Sequence, residues 1–140
     1  MEIDGKCFCG FITYRATIDP ERIAVCHCTD CQNHSGAAYG VVASVTADFE
    51  LLTGSMKAFV KIADSGARRV LTFCPECGTR IYAKPEGDEP GFWGLRVGTI
   101  SQRAALPPRM QVWCDSALGW TADLRALPRF PGNPVLTTAP

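Results

Sequence analysis

The sequence has no excess of charge of either sign and no long hydrophobic run. Fourteen Lys and Arg side chains balance fourteen Asp and Glu side chains, and the pI is near 6.7. We therefore expect no nucleic-acid partner, because nothing draws the whole molecule to a polyanion. No stretch of about 18 uninterrupted apolar residues occurs, and the opening MEIDGKCFCG has no apolar signal region. We expect no signal peptide, no membrane span and a location in the cytoplasm.

Cysteine is too sparse for a disulfide scaffold, where it usually exceeds about 8–10% of the residues, since this chain has eight in 140. Cytosolic thiols are kept reduced, so clustered cysteines there indicate metal or redox chemistry more than disulfides. The length and the 46% content of hydrophobic residues suit one core. The composition predicts a single metal-binding domain over residues 1–140.

Helical periodicity is scarce, while short alternating or apolar runs bounded by Gly, Pro, Asp and Ser recur. This pattern is typical of an antiparallel β domain, so the predicted fold class is mainly β. The predicted strands are residues 11–18, 39–45, 49–52, 57–62, 69–73, 79–83, 92–98 and 110–114. Residues 57–62 and 69–73 should form a hairpin. Residues 85–91 should be a loop, 101–106 a helical turn, and the proline-rich 128–140 a segment that wraps the domain or frays.

The cysteines fall into three clusters, and their spacing is that of metal ligands. The first is C-x-C at Cys7 and Cys9, and the last is C-P-x-C-G at Cys74 and Cys77. A two-residue gap lets both sulfurs of the last cluster turn toward one ion, which makes it a zinc-knuckle signal. The middle cluster is C-x-C-x-x-C, formed by Cys26, Cys28 and Cys31.

Ligand counting favours two separate sites. A structural zinc site needs four ligands, which the first and last clusters supply together. The middle cluster then provides three ligands, and a zinc ion with three protein ligands keeps a position open for water or a substrate thiol. His27, His34 or Asp30 would close this site if one of them were a fourth ligand. A dithiol redox centre at the knuckle is the other alternative, although no βαβ pattern surrounds it.

The remaining candidates have ordinary structural explanations. The short bite between two cysteines makes coordination by His27 awkward, so we expect it beside the ligands or facing a substrate. We expect His34 on the surface and Cys114 packed as a small buried hydrophobic residue. The three tryptophans should be core or groove walls; they are Trp93, Trp113 and Trp120.

Four segments together resemble a known family: GKCFCGFITY, CHCTDCQNHSGAAYG, LTFCPECGTRIYA and WCDSALGW. In order and spacing they resemble the glutathione-dependent formaldehyde-activating enzyme family, which also includes centromere protein V. The resemblance covers about residues 5–120 and leaves 121–140 as a C-terminal extension. It implies a β-tent fold similar to that of methionine sulfoxide reductase B.

The resemblance also implies two zinc ions per chain with different roles. The structural zinc would be held by Cys7, Cys9, Cys74 and Cys77. The catalytic zinc would be held by Cys26, Cys28 and Cys31. The implied activity is that of a carbon–sulfur lyase that joins formaldehyde to glutathione, giving S-(hydroxymethyl)glutathione. Because glutathione carries carboxylates, cationic groups should line its cleft, and the candidates are Lys57, Arg68, Arg69, Arg80 and Arg96.

Two other functions remain open on the sequence. A non-enzymatic zinc-binding interaction module would use the same scaffold, with a closed second zinc site and a basic or apolar surface patch. A thiol redox repair enzyme similar to methionine sulfoxide reductase would use Cys114 as an attacking or resolving thiol.

Overall fold

Two long antiparallel strands form the centre of the fold, which a computed structural model describes for residues 1–134. These strands are β2 (Thr13–Cys26) and β3 (Gly40–Thr53). The sequence prediction for the end of the chain lies partly at 135–140, outside the described residues. Residues 128–134 contain no helix or strand.

The remaining strands extend this pair into one sheet. Its order is β1-β2-β3-β7-β6-β5-β4, and β8 pairs in parallel with β2. All other pairings among residues 1–134 are antiparallel, so the predicted mainly antiparallel β fold is confirmed. The strands flanking the central pair are β1 (Glu2–Lys6), β4 (Lys57–Ile62), β5 (Arg68–Phe73), β6 (Arg80–Pro85), β7 (Gly94–Arg96) and β8 (Met110–Val112). The predicted hairpin is confirmed as the β4–β5 pair.

The core lies against one face of β2. The alternation predicted for residues 11–18 is confirmed, since every second side chain is buried there: Ile12, Tyr14, Ala16 and Ile18. Ile81, Leu95 and Ile100 complete the same buried cluster from later in the chain. Burial of each such aliphatic side chain contributes about 1.5–3 kcal/mol. This core connects the strand ends that carry the cysteines.

Both central strands are longer than predicted. Strand β2 continues to Cys26 because a register irregularity between Asp19 and Ile23 absorbs Pro20, which cannot donate a hydrogen bond to the sheet. Residues 39–45 and 49–52, predicted as two strands, belong to the single strand β3. Asp48 adopts a φ of 52° within this strand. The sequence pattern predicted a break between two strands here, and the structure has a local irregularity in one strand.

One α-helix, α1 (Thr29–Ser35), was not predicted. Seven residues are too few to show a helical hydrophobic period, and only Cys31 on this helix is buried. The termini do carry local signals. The Cys28 side chain caps the start, and Gly36 ends the helix with a φ of 64°, in the left-handed region that favours glycine.

Short 3₁₀ helices replace parts of the predicted strands near the C-terminus. Strand β7 stops at Arg96, and β8 stops at Val112, in each case before a 3₁₀ turn. In residues 1–134 these turns are Val97–Thr99, Arg103–Ala105, Cys114–Ser116 and Gly119–Ala126. The second of them confirms the predicted helical turn at 101–106. No helix among the described residues is long and apolar enough to cross a membrane.

Candidate functional site

Two groups of cysteine sulfurs converge at strand ends. One group joins Cys7 and Cys9 to Cys74 and Cys77, and we call it the four-cysteine group. The other contains Cys26, Cys28 and Cys31, and we call it the three-cysteine group. Within each group the sulfurs lie within 4.8 Å of one another, and all eight cysteines of the chain are free thiols. The two groups correspond to the division reached by ligand counting.

Tight turns aim the sulfurs of the four-cysteine group. Cys7 directly follows β1 and Cys74 directly follows β5, and both are almost fully buried. The Gly78 N–H donates to the Cys74 carbonyl at 2.9 Å, closing the knuckle, and Gly78 has a φ of 72°. The Ile12 N–H donates to Cys7 Sγ at 3.2 Å. Main-chain donors directed at sulfur stabilise the thiolate form, which is the form that binds metal.

The three-cysteine group lies where β2 passes into α1. Cys26 is the last residue of β2, and its thiol lies 3.4 Å from Cys28 Sγ. Cys28 caps α1, because its sulfur accepts from the Cys31 N–H at 3.3 Å. Cys31 follows within the first turn of the helix. One hydrogen-bonded turn therefore fixes the spacing of the three sulfurs.

Each group contains at least one thiol with a lowered pKa. The hydrogen bond from Cys26, with the positive charge of Arg96, lowers the pKa of Cys31 to about 5. The hydrogen bond with the Thr79 hydroxyl lowers the pKa of Cys77 to about 5. The hydrogen bond to Cys31 and burial raise the pKa of Cys26. Each group thus contains a sulfur whose surroundings favour the thiolate, which is the form that binds metal.

Cationic side chains lie beside the three-cysteine group. Arg96, at the end of β7, directs Nη1 to within 3.6 Å of Cys31 Sγ. Arg80, at the start of β6, contacts His34 Nδ1 through its own Nη1. Burial and the neighbouring charge of Arg80 lower the pKa of His34. His34 was predicted to be a surface histidine, but it is half-buried against this arginine.

Each residue considered as a fourth ligand contacts another side chain instead of joining the three sulfurs. Asp30 pairs with Lys61, and His34 contacts Arg80. His27 is 3% exposed, and its Nε2 lies 2.8 Å from Gln111 Oε1. In residues 1–134 no His, Asp or Glu joins the three-cysteine group within the 4.8 Å limit. The group therefore offers three protein ligands, whereas the other offers four.

Three of the cations considered for a glutathione cleft lie away from the three-cysteine group. Arg68 and Arg69 line an open depression of about 630 Å³ that has no cysteine on its walls. Arg68 also pairs with Glu86. Lys57 is exposed at the start of β4. Of the five cations considered for a glutathione cleft, only Arg80 and Arg96 are positioned by hydrogen bonds or contacts next to the three-cysteine group.

The prediction of a buried Cys114 was wrong, and of the three tryptophans predicted to be core or groove walls, Trp93 is the one that packs against the core. Cys114 is exposed, because β8 ends two residues earlier and Trp113 turns the chain with a φ of 58° into a 3₁₀ helix. Trp113 is 70% exposed and Trp120 is 59% exposed. Trp93 does pack against the core, where its ring lies 5.7 Å from that of Phe49.

Two glutamines that the sequence analysis did not identify form hydrogen bonds next to the three-cysteine group. Gln32 Nε2 donates at 2.8 Å to the carbonyls of both His27 and Ser116. Gln111 fixes the His27 ring from β8. Gln32 lies on the helix that was not predicted, so no pattern signalled its position. Gln32 thus connects the three-cysteine group to the 3₁₀ helix at Ser116, and Gln111 connects it to β8.

The donor sets fit thiophilic metal ions. Thiolate ligands select zinc, copper(I) and iron–sulfur centres over magnesium or calcium. The four-cysteine group has the ligand number of a closed tetrahedral site, and the three-cysteine group has that of an open one. Both groups could therefore hold a metal ion, and only the second would leave a position for an exogenous ligand.

Comparison with known proteins agrees with these features. A crystal structure of a Rhodobacter sphaeroides protein matches with a TM-score of 0.59 and 16% identity, covering 79% of this chain and 100% of that chain. At this identity the match shows a shared fold. The sequence profile named glutathione-dependent formaldehyde-activating enzyme matches residues 2–116, which contain all seven clustered cysteines. The chain therefore belongs to the glutathione-dependent formaldehyde-activating enzyme family.

Proposed function

We propose that this protein is a zinc-dependent carbon–sulfur lyase that joins glutathione and formaldehyde to give S-(hydroxymethyl)glutathione, or acts on a related thiol–aldehyde adduct. The observation that carries the proposal is the difference between the two sulfur groups. Four sulfurs converge at one and three at the other. Family membership supports the choice of glutathione and formaldehyde as substrates.

We assign a different role to each group. Cys7, Cys9, Cys74 and Cys77 would hold a structural zinc that ties the start of the chain to the end of β5. Cys26, Cys28 and Cys31 would hold the catalytic zinc, giving two zinc ions per chain. A zinc ion in the open site would supply a fourth coordination position and favour the thiolate form of a bound thiol.

The proposed reaction is an addition with no net oxidation. The sulfur of glutathione forms a bond with the carbon of formaldehyde, and the π electrons of the carbonyl group move onto its oxygen. The proton of the thiol ends on that oxygen, so all atoms are retained. Arg96, 3.6 Å from Cys31 Sγ, stabilises negative charge on the sulfur side of the site. The turn from β2 into α1 orients the cysteines before substrate arrives, which reduces the entropy cost of reaction.

The broader assignments follow the same reasoning. We propose that the antiparallel sheet is a β-tent similar to that of methionine sulfoxide reductase B. We propose that residues 1–140 form one zinc-binding domain, with 121–140 as a C-terminal extension. Reduced thiols are needed for both groups, which supports a location in the cytoplasm.

An exchange experiment tests the activity. Glutathione and formaldehyde form their adduct without an enzyme, so magnetisation-exchange NMR should measure the rate at which the equilibrium mixture interconverts, with and without protein. We expect zinc-loaded protein to accelerate exchange and Cys28→Ser to abolish the acceleration. Cys114→Ser is the matched control, because Cys114 belongs to neither group, and it should retain full acceleration. Equal exchange rates with native protein and with Cys28→Ser would refute the proposal.

A further inference from the structure

We propose that Arg80 and Arg96 form a subsite for a carboxylate of the thiol that binds at the three-cysteine group. The inference rests on the proposed function and extends it from the reacting sulfur to the part of the substrate that carries charge. It makes the protein selective for thiols with a carboxylate over neutral thiols of the same size.

The position of Arg96 is built into the fold. Arg96 pairs with Val42 across β3 and β7, and its guanidinium reaches back to Cys31. Gly40, opposite Cys26 in the β2–β3 pair, leaves the space that this guanidinium occupies. A Cβ at Gly40 would clash with Arg96 Nη1. The backbone thus reserves room for a cation next to the sulfurs.

Arg80 has donors that no acceptor satisfies. Its Nε and Nη2 atoms are shielded from water and have no hydrogen-bond partner within residues 1–134. Its other terminal nitrogen contacts His34, whose ring nitrogens can satisfy at most one donor. An unsatisfied buried donor costs about 1–3 kcal/mol, more for charged groups. Arg80 therefore lacks an acceptor that an anionic ligand can provide.

Among the described residues no carboxylate forms an ion pair with Arg80 or Arg96, and the acidic group nearest to them is the Cys31 thiol. The ion pairs of the described residues are Lys61 with Asp30, Arg68 with Glu86, and Arg109 with Glu21. Burial lowers the pKa of Arg80, and the charge of the neighbouring Arg96 lowers it further. Both residues are half-buried. Two neighbouring arginines with no carboxylate partner can bind a carboxylate of a ligand.

The two arginines lie next to the sulfurs at which a thiol would bind. A thiol bound at the three-cysteine group would lie beside Cys31, whose Sγ is 3.6 Å from Arg96 Nη1. A carboxylate attached to the sulfur of that thiol through a short chain can contact the guanidinium groups. Arginine is suited to this task, because its planar fork binds a carboxylate through two hydrogen bonds.

Paired thiols provide the test. Protein loaded with cobalt(II) is titrated with glutathione and with glutathione diethyl ester, which has the same thiol but no free carboxylate, and the sulfur-to-cobalt absorption band reports binding. We expect native protein to bind glutathione about tenfold more tightly than the diester, the difference typical of a charged hydrogen bond. In the Arg80→Met and Arg96→Met variants the two affinities should differ by less than about twofold, and both variants should still bind the diester.

Two further variants make the ratio decisive. Arg15→Met removes an exposed arginine on β2 outside the proposed subsite and should keep the tenfold ratio. Arg80→Lys keeps the charge but not the fork, and it should lower the ratio at least threefold, even if Arg80→Met does not fold. If Arg80 had only a structural role, its substitution would weaken the binding of both thiols equally and leave the ratio unchanged. An unchanged ratio in Arg80→Lys and Arg96→Met overturns the subsite alone. Failure of native protein to bind either thiol at millimolar concentration overturns the proposed function and the subsite with it.

Discussion

Cys28 has two roles that substitution can separate. Its sulfur belongs to the three-cysteine group, and it also caps α1 by accepting from the Cys31 N–H at 3.3 Å. Serine cannot replace the thiolate as a good zinc ligand, but it is among the preferred N-cap residues. Alanine supplies neither function. Cys28→Ser and Cys28→Ala should therefore lose the same metal ion but differ in stability.

The difference in stability can be estimated from the cap. Replacing a serine cap by alanine costs about 1 kcal/mol. For a protein of this size, about 1 kcal/mol changes the melting temperature by about 3 °C. The main-chain bond from the Gln32 N–H to the Cys28 carbonyl, at 3.0 Å, is present in both variants and does not contribute to the difference.

Calorimetry after treatment with a mild chelator measures this effect, because the chelator removes weakly bound metal from every sample. We expect one zinc ion per chain in both variants and a melting temperature about 3 °C lower for Cys28→Ala than for Cys28→Ser. Equal melting temperatures would refute the capping role. Two zinc ions retained in either variant would refute the role of Cys28 as a ligand.

Four further substitutions test the surrounding structure. Cys74→Ser should leave the chain unfolded by circular dichroism, since a structural zinc contributes on the order of 10 kcal/mol; Cys114→Ser, which changes an exposed thiol, should melt like the native protein. Gly40→Ala should displace Arg96 and lower the affinity of the cobalt form for glutathione, with the diester much less affected. Burial raises the pKa of Tyr14 to about 12, so its contribution to stability is complete below about pH 10 and is lost as the pH rises through 12. The melting temperature of Tyr14→Phe should therefore fall less than that of native protein between these pH values.

The sequence was informative wherever a local pattern determined the structure. The period-two run ending at Ile18 predicted the buried face of β2, and a turn composition between two alternating runs predicted the β4–β5 hairpin. The three cysteine clusters predicted two groups of sulfurs, because ligand number and knuckle spacing are local properties. These features need no knowledge of distant contacts.

Features that depend on distant contacts were not predictable. Arg80 and Arg96 looked the same as Arg68 in the sequence, and only the pairing of β7 with β3 and β6 brings them to the cysteine loop. Helix α1 was too short to show periodicity. Cys114 was predicted to be buried because it follows an apolar strand, but the chain turns at Trp113. In each case tertiary structure determines what the local pattern leaves open.

The central claim is that the three-cysteine group holds a metal ion with one position open to a substrate thiolate. X-ray absorption at the selenium edge tests it directly, using zinc-loaded protein and the reduced selenium analogue of glutathione. We predict a zinc neighbour at bonding distance from selenium in native protein and in Cys114→Ser, and its loss in Cys28→Ser. Selenium without a zinc neighbour in native protein would contradict the account, as would a selenium–zinc bond that persists in Cys28→Ser.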